Sequence, residues 1–549
     1  MAWLKILEEK PDHPMFNVEE AKKLLADLPQ DNPLNALDEI TGWLASVKET
    51  PGFRPELRAD IIMLLDETAQ PHHANLLQHY LAEVHLQDFE SMRRWQGILI
   101  FMRAAAEAYA ACIDEYQQVE KKSPTFKAKV PVICVRLIRA TAEQIKLELM
   151  RYTKIEPPLW QQLYQYYNIA AANQFADTVV YAYAKGTPHT SAQRELLRAV
   201  LLHSASPDTL TPEQIEVSYR IAGRLSSHFD FKDAPDADCV HCLDLAQPAP
   251  PMDMSDQIQV TPTMRFFGAV RAIPKLEEII LESERSQTEA EQRLDNDFTP
   301  QGKLTVLKHL QVYWSKDHPH RRQERRGIST TIELIHGFKL ISKVVTNAAL
   351  DQMADLSAEE VEMLKQESKL NLTDAQEDVE YITETWDVLD LSIGGIGARI
   401  PKAPADWVKI GALCGLKATN NNVWWAGMIR RLETDAEEKI RVGIEILTKK
   451  PLSIWLRSLG KGTELASNWE SRSGSFKHTY LPAILVPDAQ DSYAEATMLM
   501  ESGGYRTDYV YEVMMGEKNN NIKLTALLVE GADYERISFK WAHPPASMS

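Results

Sequence analysis

Apolar residues recur at spacings of three and four over most of the first 230 positions of the chain. This spacing places them on one face of a helix. Trp95, Ile98, Leu99 and Met102 are an example of such a face. Because consecutive helices with short connections build bundles or helical-repeat arrays, the pattern predicts a helical domain over residues 1–230.

The pattern changes after residue 230. Residues 231–260 hold one short apolar run followed by a cluster of prolines, which predicts a strand or a linker. A charged amphipathic helix is predicted from about 264 to 294. The segment 231–317 is therefore predicted to be a linker strand followed by a long amphipathic helix.

β-Branched and alternating apolar residues predict strands over most of the segment 318–450. Within it, residues 330–345 are rich in β-branched side chains, with His336-Gly337 as a candidate turn. An acidic helical segment at about 347–380 interrupts this strand pattern. The sequence therefore predicts a β domain with a helical insertion.

Short apolar runs separated by Gly, Asn and Asp turns fill residues 451–549. Short strands at close spacing predict an antiparallel barrel or sandwich, which would be a C-terminal β domain. The predicted fold class is α+β and multidomain, with a helical N-terminal half and two β domains.

The charge of the chain narrows the classes of function. It has 549 residues, with 60 Lys and Arg against 78 Asp and Glu, and a net charge of −18. A protein that coats DNA or RNA needs a net basic surface, so no nucleic acid is expected as a partner. A local basic site for a small anionic ligand is compatible with this charge.

The cysteines and apolar runs point to a cytoplasmic protein without a metal. Five cysteines spread over the chain do not form a disulfide framework, and the lone pair Cys239 and Cys242 lacks the two further ligands of a zinc site. No apolar run reaches the roughly 18–20 residues of a membrane span, and the first residues reach Glu8 too soon for a signal peptide. We expect a cytoplasmic location and no cofactor.

One basic cluster, residues 316–326, stands out against the negative background. It contains two overlapping Arg-x-x-x-Arg pairs: Arg321 with Arg325, and Arg322 with Arg326. A guanidinium binds phosphate through two hydrogen bonds, grips the O6/N7 edge of guanine and stacks on flat rings. A solvated charge run before a strand is the alternative interpretation of this cluster.

A second cluster combines polar residues with glycines. Asp390 and Ser392 are two positions apart, so on an extended chain they face the same way. A carboxylate can accept hydrogen bonds from both donors of a guanine edge. Gly394 and Gly395 would let a ligand approach the backbone and allow positive φ, and Arg399 supplies another phosphate contact. Alternatively, the segment is a strand that ends in a glycine turn, with Asp390 and Ser392 satisfying the turn.

Together the two clusters resemble a known family. Arg-x-x-x-Arg followed by Asp/Asn-x-Ser-x-x-Gly is the signature of the PilZ domain, the bacterial receptor module for cyclic di-GMP. Asp390, Ser392 and Gly395 complete the second half of that signature. The strand-like runs 424–432 and 441–447 also look like later PilZ strands, so the resemblance covers about 318–450. It implies a small β-barrel that holds cyclic di-GMP, often as a stacked dimer.

The first half of the signature aligns best on Arg322 and Arg326, with Arg321 as the extra preceding arginine of many family members. Arg325 would then be a bystander or a helper. Arg326 and Asp390 are 64 positions apart, which is longer than family members usually have. The excess matches the acidic helical segment, and a β scaffold tolerates such an insertion because loop-closure entropy grows slowly with length.

The resemblance implies a cytosolic receptor that binds cyclic di-GMP and passes the signal to an unidentified protein partner, possibly one bound by the helical half. The alternative is a PilZ-like scaffold that binds protein partners without nucleotide. The sequence has no P-loop, HExxH or GxSxG motif, and we expect no enzymatic activity.

Overall fold

The structure is a computed structural model with two compact units, residues 1–322 and 323–549. It describes residues 11–82, 88–118, 123–183, 189–255, 257–285, 298–317, 319, 326–352, 383–400, 406–418, 423–435, 439–460, 470–472, 475–477, 480–487, 496–506, 509–515 and 518–542.

Helices dominate the first unit. In chain order they are α1 (Val18–Ala26), α2 (Pro33–Glu49), α3 (Pro55–Ala82), α4 (Phe89–Gln118), α5 (Pro124–Met150), α6 (Pro157–Ala172), α7 (Ala192–Ser204), α8 (Pro212–Leu225), α9 (Ala272–Arg285) and α10 (Pro300–Tyr313). The strands of this unit are β1 (Val180–Tyr181), β2 (His189–Thr190), β3 (Asp230–Lys232), β4 (His241–Asp244), β5 (Met252–Asp253) and β6 (Met264–Gly268). The predicted helical N-terminal half is confirmed.

The helices of the first unit begin at local signals in the sequence. Ser123 caps α5 through the backbone N–H of Phe126, and Thr211 and Gln214 form a capping box at α8. One continuous apolar core joins all ten helices, from Ala21 of α1 to Leu310 of α10. The unit is therefore a single packed body rather than a string of independent helix pairs.

The core of the first unit contains a buried ion pair. Glu195 of α7 is fully buried, and its carboxylate accepts hydrogen bonds from the Arg139 guanidinium at 3.1 and 2.6 Å and from the Thr190 hydroxyl at 2.6 Å. Burial alone would raise the pKa of Glu195, but Arg139 and Arg198 more than offset it and lower that pKa to about 2. The pair links the hairpin β1–β2 to α5 and α7.

Helix α4 is the one described helix that is long and apolar enough to cross a membrane, and 61% of its apolar window is buried within the structure. The face predicted from the sequence carries much of this burial, since Ile98, Leu99 and Met102 are in the core and Trp95 packs against it. A buried core helix passes the same test of length and composition, so α4 is weak evidence for a span.

The prediction of a long helix from 264 to 294 is wrong at its start. Residues 264–268 form β6, one of the two inner strands of an antiparallel sheet in the order β3-β6-β4-β5, and helix begins only at Ala272. Phe266 packs with Met264 on one face of this strand, whereas Phe267 enters the main core on the other. Strand β6 is thus buried on both faces. The charged helical pattern that follows it led to the prediction of a helix starting at 264. Residues 286–297 lie outside the described part of the chain.

The described part of the second unit contains strands and the helix α11 (Phe338–Gln352). The strands of its first barrel are β7 (Arg326–His336), β8 (Glu384–Leu391), β9 (Gly395–Ile400), β10 (Leu413–Ala418), β11 (Trp425–Thr434) and β12 (Ile440–Thr448). The remaining strands are β13 (Leu452–Gly460), β14 (Glu470–Arg472), β15 (Ser475–Lys477), β16 (Tyr480–Val486), β17 (Thr497–Glu501), β18 (Val510–Met515), β19 (Lys518–Glu530) and β20 (Tyr534–Trp541).

These strands close into two six-stranded antiparallel barrels of the same topology. The first runs β10-β11-β12-β9-β8-β7 and the second β13-β16-β17-β20-β19-β18. If the six strands of each barrel are numbered 1 to 6 along the chain, the order around both barrels is 1-2-3-6-5-4. The predicted fold class, with a β-barrel and a C-terminal β domain, is confirmed, and the C-terminal β domain is a barrel rather than a sandwich.

Helix α11 lies between the two barrels. The strand predicted for residues 338–345 is wrong, because the chain turns at Gly337, which has a φ of +87°, and then enters α11. Asp533, in the turn before β20, accepts a hydrogen bond of 2.6 Å from the Phe338 backbone N–H and so caps the helix. Helix therefore begins before the predicted insertion at 347–380, and residues 353–382 lie outside the described part of the chain.

Candidate ligand-binding site

Arg326, the described arginine of the first motif half, lies on the strand next to the second motif half, at one end of the first barrel. Strand β7 begins at Arg326, which lies directly opposite Leu391 at the end of β8. The next residue, Gly327, lies opposite Asp390. Residues 64 positions apart in the chain are therefore brought to adjacent strands. Arg326 is exposed and makes no ion pair within the described residues.

The other predicted arginines, Arg321, Arg322 and Arg325, lie outside the described residues. Their predicted roles stay predictions. They precede β7, whose first residue is Arg326.

Ser392 shapes the turn that follows β8. Its backbone N–H donates to the Gly395 carbonyl oxygen at 2.9 Å, and its hydroxyl donates to the same oxygen at 3.2 Å. The Gly394 carbonyl accepts a hydrogen bond of 3.0 Å from the backbone N–H of Ile446, on β12. The turn is thus closed on itself and fastened to a third strand, which fixes its backbone for a ligand.

Asp390 lies on the outer face of the barrel, against strand β9. It is directly opposite Gly397, and a β-carbon at position 397 would stand only 2.6 Å from its carboxylate. Any residue other than glycine would push this side chain away from the sheet. The absence of a side chain at 397 therefore allows Asp390 to lie flat over β9, half-buried and close to the motif turn.

The glycines of the motif do not have the positive φ that the sequence led us to expect. Neither Gly394 nor Gly395 is among the described residues with positive φ. Gly395 instead starts β9, where a β-carbon would stand 2.9 Å from the Ile444 carbonyl oxygen on β12. The requirement at this position is close approach of two strands, not a left-handed backbone.

Arg399 points outward from β9, since its neighbours Ala398 and Ile400 are buried. Its Nε lies 3.4 Å from an Asp435 carboxylate oxygen. It shares this outer face with Gly395 and Gly397, but stands four positions along the strand from the motif turn.

Sequence reasoning missed the residues that face this site from β11 and β12. Gly443 lies directly opposite Gly397, and Arg431 lies directly opposite Gly443. Two positions along the same face, Arg441 lies opposite Arg399. The alternation of Arg441, Gly443 and Glu445 along β12 marks its outer face, but pairing with β9 is a long-range feature that no local pattern reveals.

We name the outer row as the five residues that stand side by side across five strands. In order they are Gly327, Asp390, Gly397, Gly443 and Arg431. Two of its three glycines, Gly397 and Gly443, stand between the two charged members, Asp390 and Arg431. The Asp390 carboxylate covers Gly397, and the Arg431 side chain begins beside Gly443, so the glycines let both charged side chains lie close to the sheet.

No group of three or more His, Cys, Asp or Glu within the described residues could hold a metal ion. The sequence pair Cys239 and Cys242 is present as free thiols, the second of them buried.

One family model matches part of the helical unit. The family model described as "Cyclic-di-GMP receptor FimW, N-terminal domain" matches residues 19–236, which is less than half of the chain and lies within the helical unit. No curated protein sequence matches the chain.

Two solved structures are also similar in part. One is a K. pneumonia MrkH–c-di-GMP complex, 9% identical, with 30% of this chain and 78% of that chain covered and a TM-score of 0.13. The other is MrkH, described as a c-di-GMP dependence transcription regulatory factor, 8% identical, with 40% and 90% covered and a TM-score of 0.13. This TM-score is too low for either likeness to bear on fold or function. The helical segment 19–236 is thus similar to a domain of a cyclic di-GMP receptor.

Proposed function

We propose that this chain is a receptor for cyclic di-GMP and that the ligand binds to the first barrel of the second unit, which is PilZ-like. The observation that carries the proposal is the register of β7 and β8. Arg326 and Gly327 stand directly opposite Leu391 and Asp390, so the described arginine of the first half lies beside the second half of the motif. The match of residues 19–236 to a domain of a cyclic di-GMP receptor supports it independently.

The chemistry of the edge suits this ligand. Cyclic di-GMP carries two phosphates and two guanines. Arg322 and Arg326 would bind phosphate or the O6/N7 edge of guanine, with Arg321 and Arg325 beside them. Asp390 would accept hydrogen bonds from the N–H donors of guanine, and the turn held by Ser392 would present its backbone. Gly394, Gly395 and Arg399 complete the proposed contacts.

The receptor would act without catalysis, in the cytoplasm, and without nucleic acid as a partner. Bound nucleotide would alter a surface that a protein partner recognises, and the helical unit is the proposed place of that surface. Such coupling requires only that the ligand has different affinities for two arrangements of the protein.

A thermal-shift titration of the full chain tests the proposal. A ligand that binds only the folded protein stabilises it by about 2.7 kcal/mol at a concentration of a hundred times Kd. We expect the melting temperature to rise with cyclic di-GMP and to stay constant with GMP at the same concentration. Without any shift at high micromolar cyclic di-GMP, the proposal fails, and a scaffold that binds protein partners without nucleotide becomes the better account.

A further inference from the structure

Two arginines face each other on the outer surface of the first barrel, one row away from Asp390. Arg441 of β12 lies directly opposite Arg399 of β9, and both point outward. Side chains that are directly opposite have β-carbons about 4.5–5.5 Å apart, and like charges in this arrangement are destabilising. A pair of facing cations is therefore a cost to the free protein unless an anion lies between them.

The two arginines of this pair differ in their ion pairs. Arg399 has Asp435 at 3.4 Å, whereas Arg441 is exposed and makes no ion pair within the described residues. Asp387 lies opposite Arg399 and Glu433 lies opposite Arg441, and neither forms an ion pair with these arginines within the described part of the chain. The row thus reads acid, arginine, arginine, acid across four strands.

The outer row supplies the second observation. On the same two strands, two positions from the arginines, stand Gly397 and Gly443. Two positions along a strand span about 7 Å. The Asp390 carboxylate lies over Gly397, and the Arg431 side chain begins beside Gly443, so β9 and β12 place no side chain of their own between the arginine pair and that carboxylate. This spacing fits a nucleotide whose guanine meets Asp390 while its phosphate meets the arginines.

We propose that Arg441 is a further ligand-binding residue, which together with Arg399, its directly opposite neighbour on β9, binds a phosphate group of the nucleotide. The inference rests on the proposed cyclic di-GMP function and extends that site onto β12, beyond the motif. Arg441 supplies a guanidinium that binds phosphate through two hydrogen bonds. Ligand binding would also relieve the repulsion between the two facing cations.

Isothermal titration of the full chain with cyclic di-GMP at two salt concentrations tests the role of Arg441. We expect Arg441→Ala to weaken binding tenfold or more, with a shallower dependence on salt, and Arg441→Lys to lose less because it keeps the charge. The matched control is Lys540→Ala. Lys540 is an exposed cation that also faces a like charge, Lys523, but on the second barrel. We expect its affinity to stay within twofold of the wild type.

The melting temperature of the ligand-free variants separates binding from folding. Arg441→Ala should melt close to the wild-type temperature, because the variant loses both the facing cation Arg399 and the opposite charge of Glu433 on its other side. Affinity within twofold of the wild type for Arg441→Ala, while Asp390→Ala loses binding, would overturn this inference and leave the proposed function intact. A wild-type protein that binds no cyclic di-GMP would overturn both.

Discussion

Asp390 can approach β9 only because residue 397 is a glycine. We expect Asp390→Ala to weaken cyclic di-GMP binding about tenfold or more, since an unpaired guanine donor costs about 1–3 kcal/mol. The melting temperature of the ligand-free protein should change little. Titration calorimetry and thermal unfolding of the same samples measure the two effects. A fall in melting temperature with affinity within twofold of the wild type would instead make Asp390 a structural residue of the turn.

Gly395 is required by its neighbour on β12. A β-carbon there would stand 2.9 Å from the Ile444 carbonyl oxygen, so the strands must move apart. We expect Gly395→Val to lower the free energy of unfolding by about 1–3 kcal/mol, the range found for overpacked sites, and to weaken ligand binding. Gly327→Ala is the matched control, because a β-carbon at 327 meets nothing within 4 Å. Chemical denaturation compares them, and equal losses would contradict the role of strand contact.

Arg326 is the motif arginine that the structure describes. We expect Arg326→Ala to reduce affinity for cyclic di-GMP about tenfold to a hundredfold, since hydrogen bonds to charged groups contribute about 1.5–3 kcal/mol. Arg325→Ala should cost less if Arg322 and Arg326 form the motif pair. Calorimetry of both variants decides the alignment. Equal losses would show that the register of the motif on this sequence is wrong.

The motif residues could be predicted because the signature is local. Asp390, Ser392 and Gly395 lie within six positions, and their spacing alone indicates a turn with a carboxylate. Arg431 and Arg441 could not be found in this way. Their relation to Asp390 depends on the pairing of β11, β12 and β9, which is set by closure of the whole barrel.

At the scale of secondary structure, α11 is held between two barrels by a cap from the second one. Asp533 accepts from the Phe338 backbone N–H at 2.6 Å. We expect Asp533→Ala to lower the free energy of unfolding of the full chain by about 0.5–2 kcal/mol, as for loss of other helix caps. Chemical denaturation measures the difference. Glu530→Ala, at an exposed acid of the same hairpin, should be nearly neutral, and a similar loss in both variants would argue against the cap.

Residues 338–345, predicted as strand, carry the spacing of a helix face. Phe338, Ile341 and Val345 recur at spacings of three and four, and all three are buried. This period is that of a helix face, and it outweighs the β-propensity of the branched side chains. For the strand at 264–268 no such local signal exists, because its pairing with β3 and β4 brings together distant parts of the chain.

At the scale of the whole molecule, acid should destabilise the helical unit through Glu195. Its pKa is about 2 in the folded protein, well below the value of about 4.3 for an exposed glutamate. A group with a lowered folded pKa stabilises the protein above its unfolded pKa, and this contribution is lost as pH falls from about 4.3 toward 2. We expect the melting temperature to fall over this window.

Glu195→Gln provides the control for that pH dependence. The variant should be less stable at pH 7, because Arg139 loses the charge that it contacts in the core. It should also lose less stability than the wild type between pH 4.3 and 2. Thermal unfolding followed by circular dichroism at several pH values measures both effects, and parallel curves for the two proteins would contradict the assignment.

The two barrels share a topology that the sequence does not reveal as a repeat. In both barrels the strands, numbered along the chain, follow the order 1-2-3-6-5-4. The motif residues are assigned to the first barrel alone. A barrel accepts many sequences whose apolar residues alternate, so two barrels of the same topology need not share a sequence repeat. Function is thus assigned from the site at the edge of the first barrel, not from the fold.

Isothermal titration of the purified full chain with cyclic di-GMP tests the central claim most directly. The account predicts saturable heat for the wild type, and a loss of at least tenfold in affinity for Arg326→Ala and for Asp390→Ala, with Lys540→Ala unchanged. The contradicting result is the absence of heat for the wild type at high micromolar ligand, or equal affinity in the wild type and both site variants.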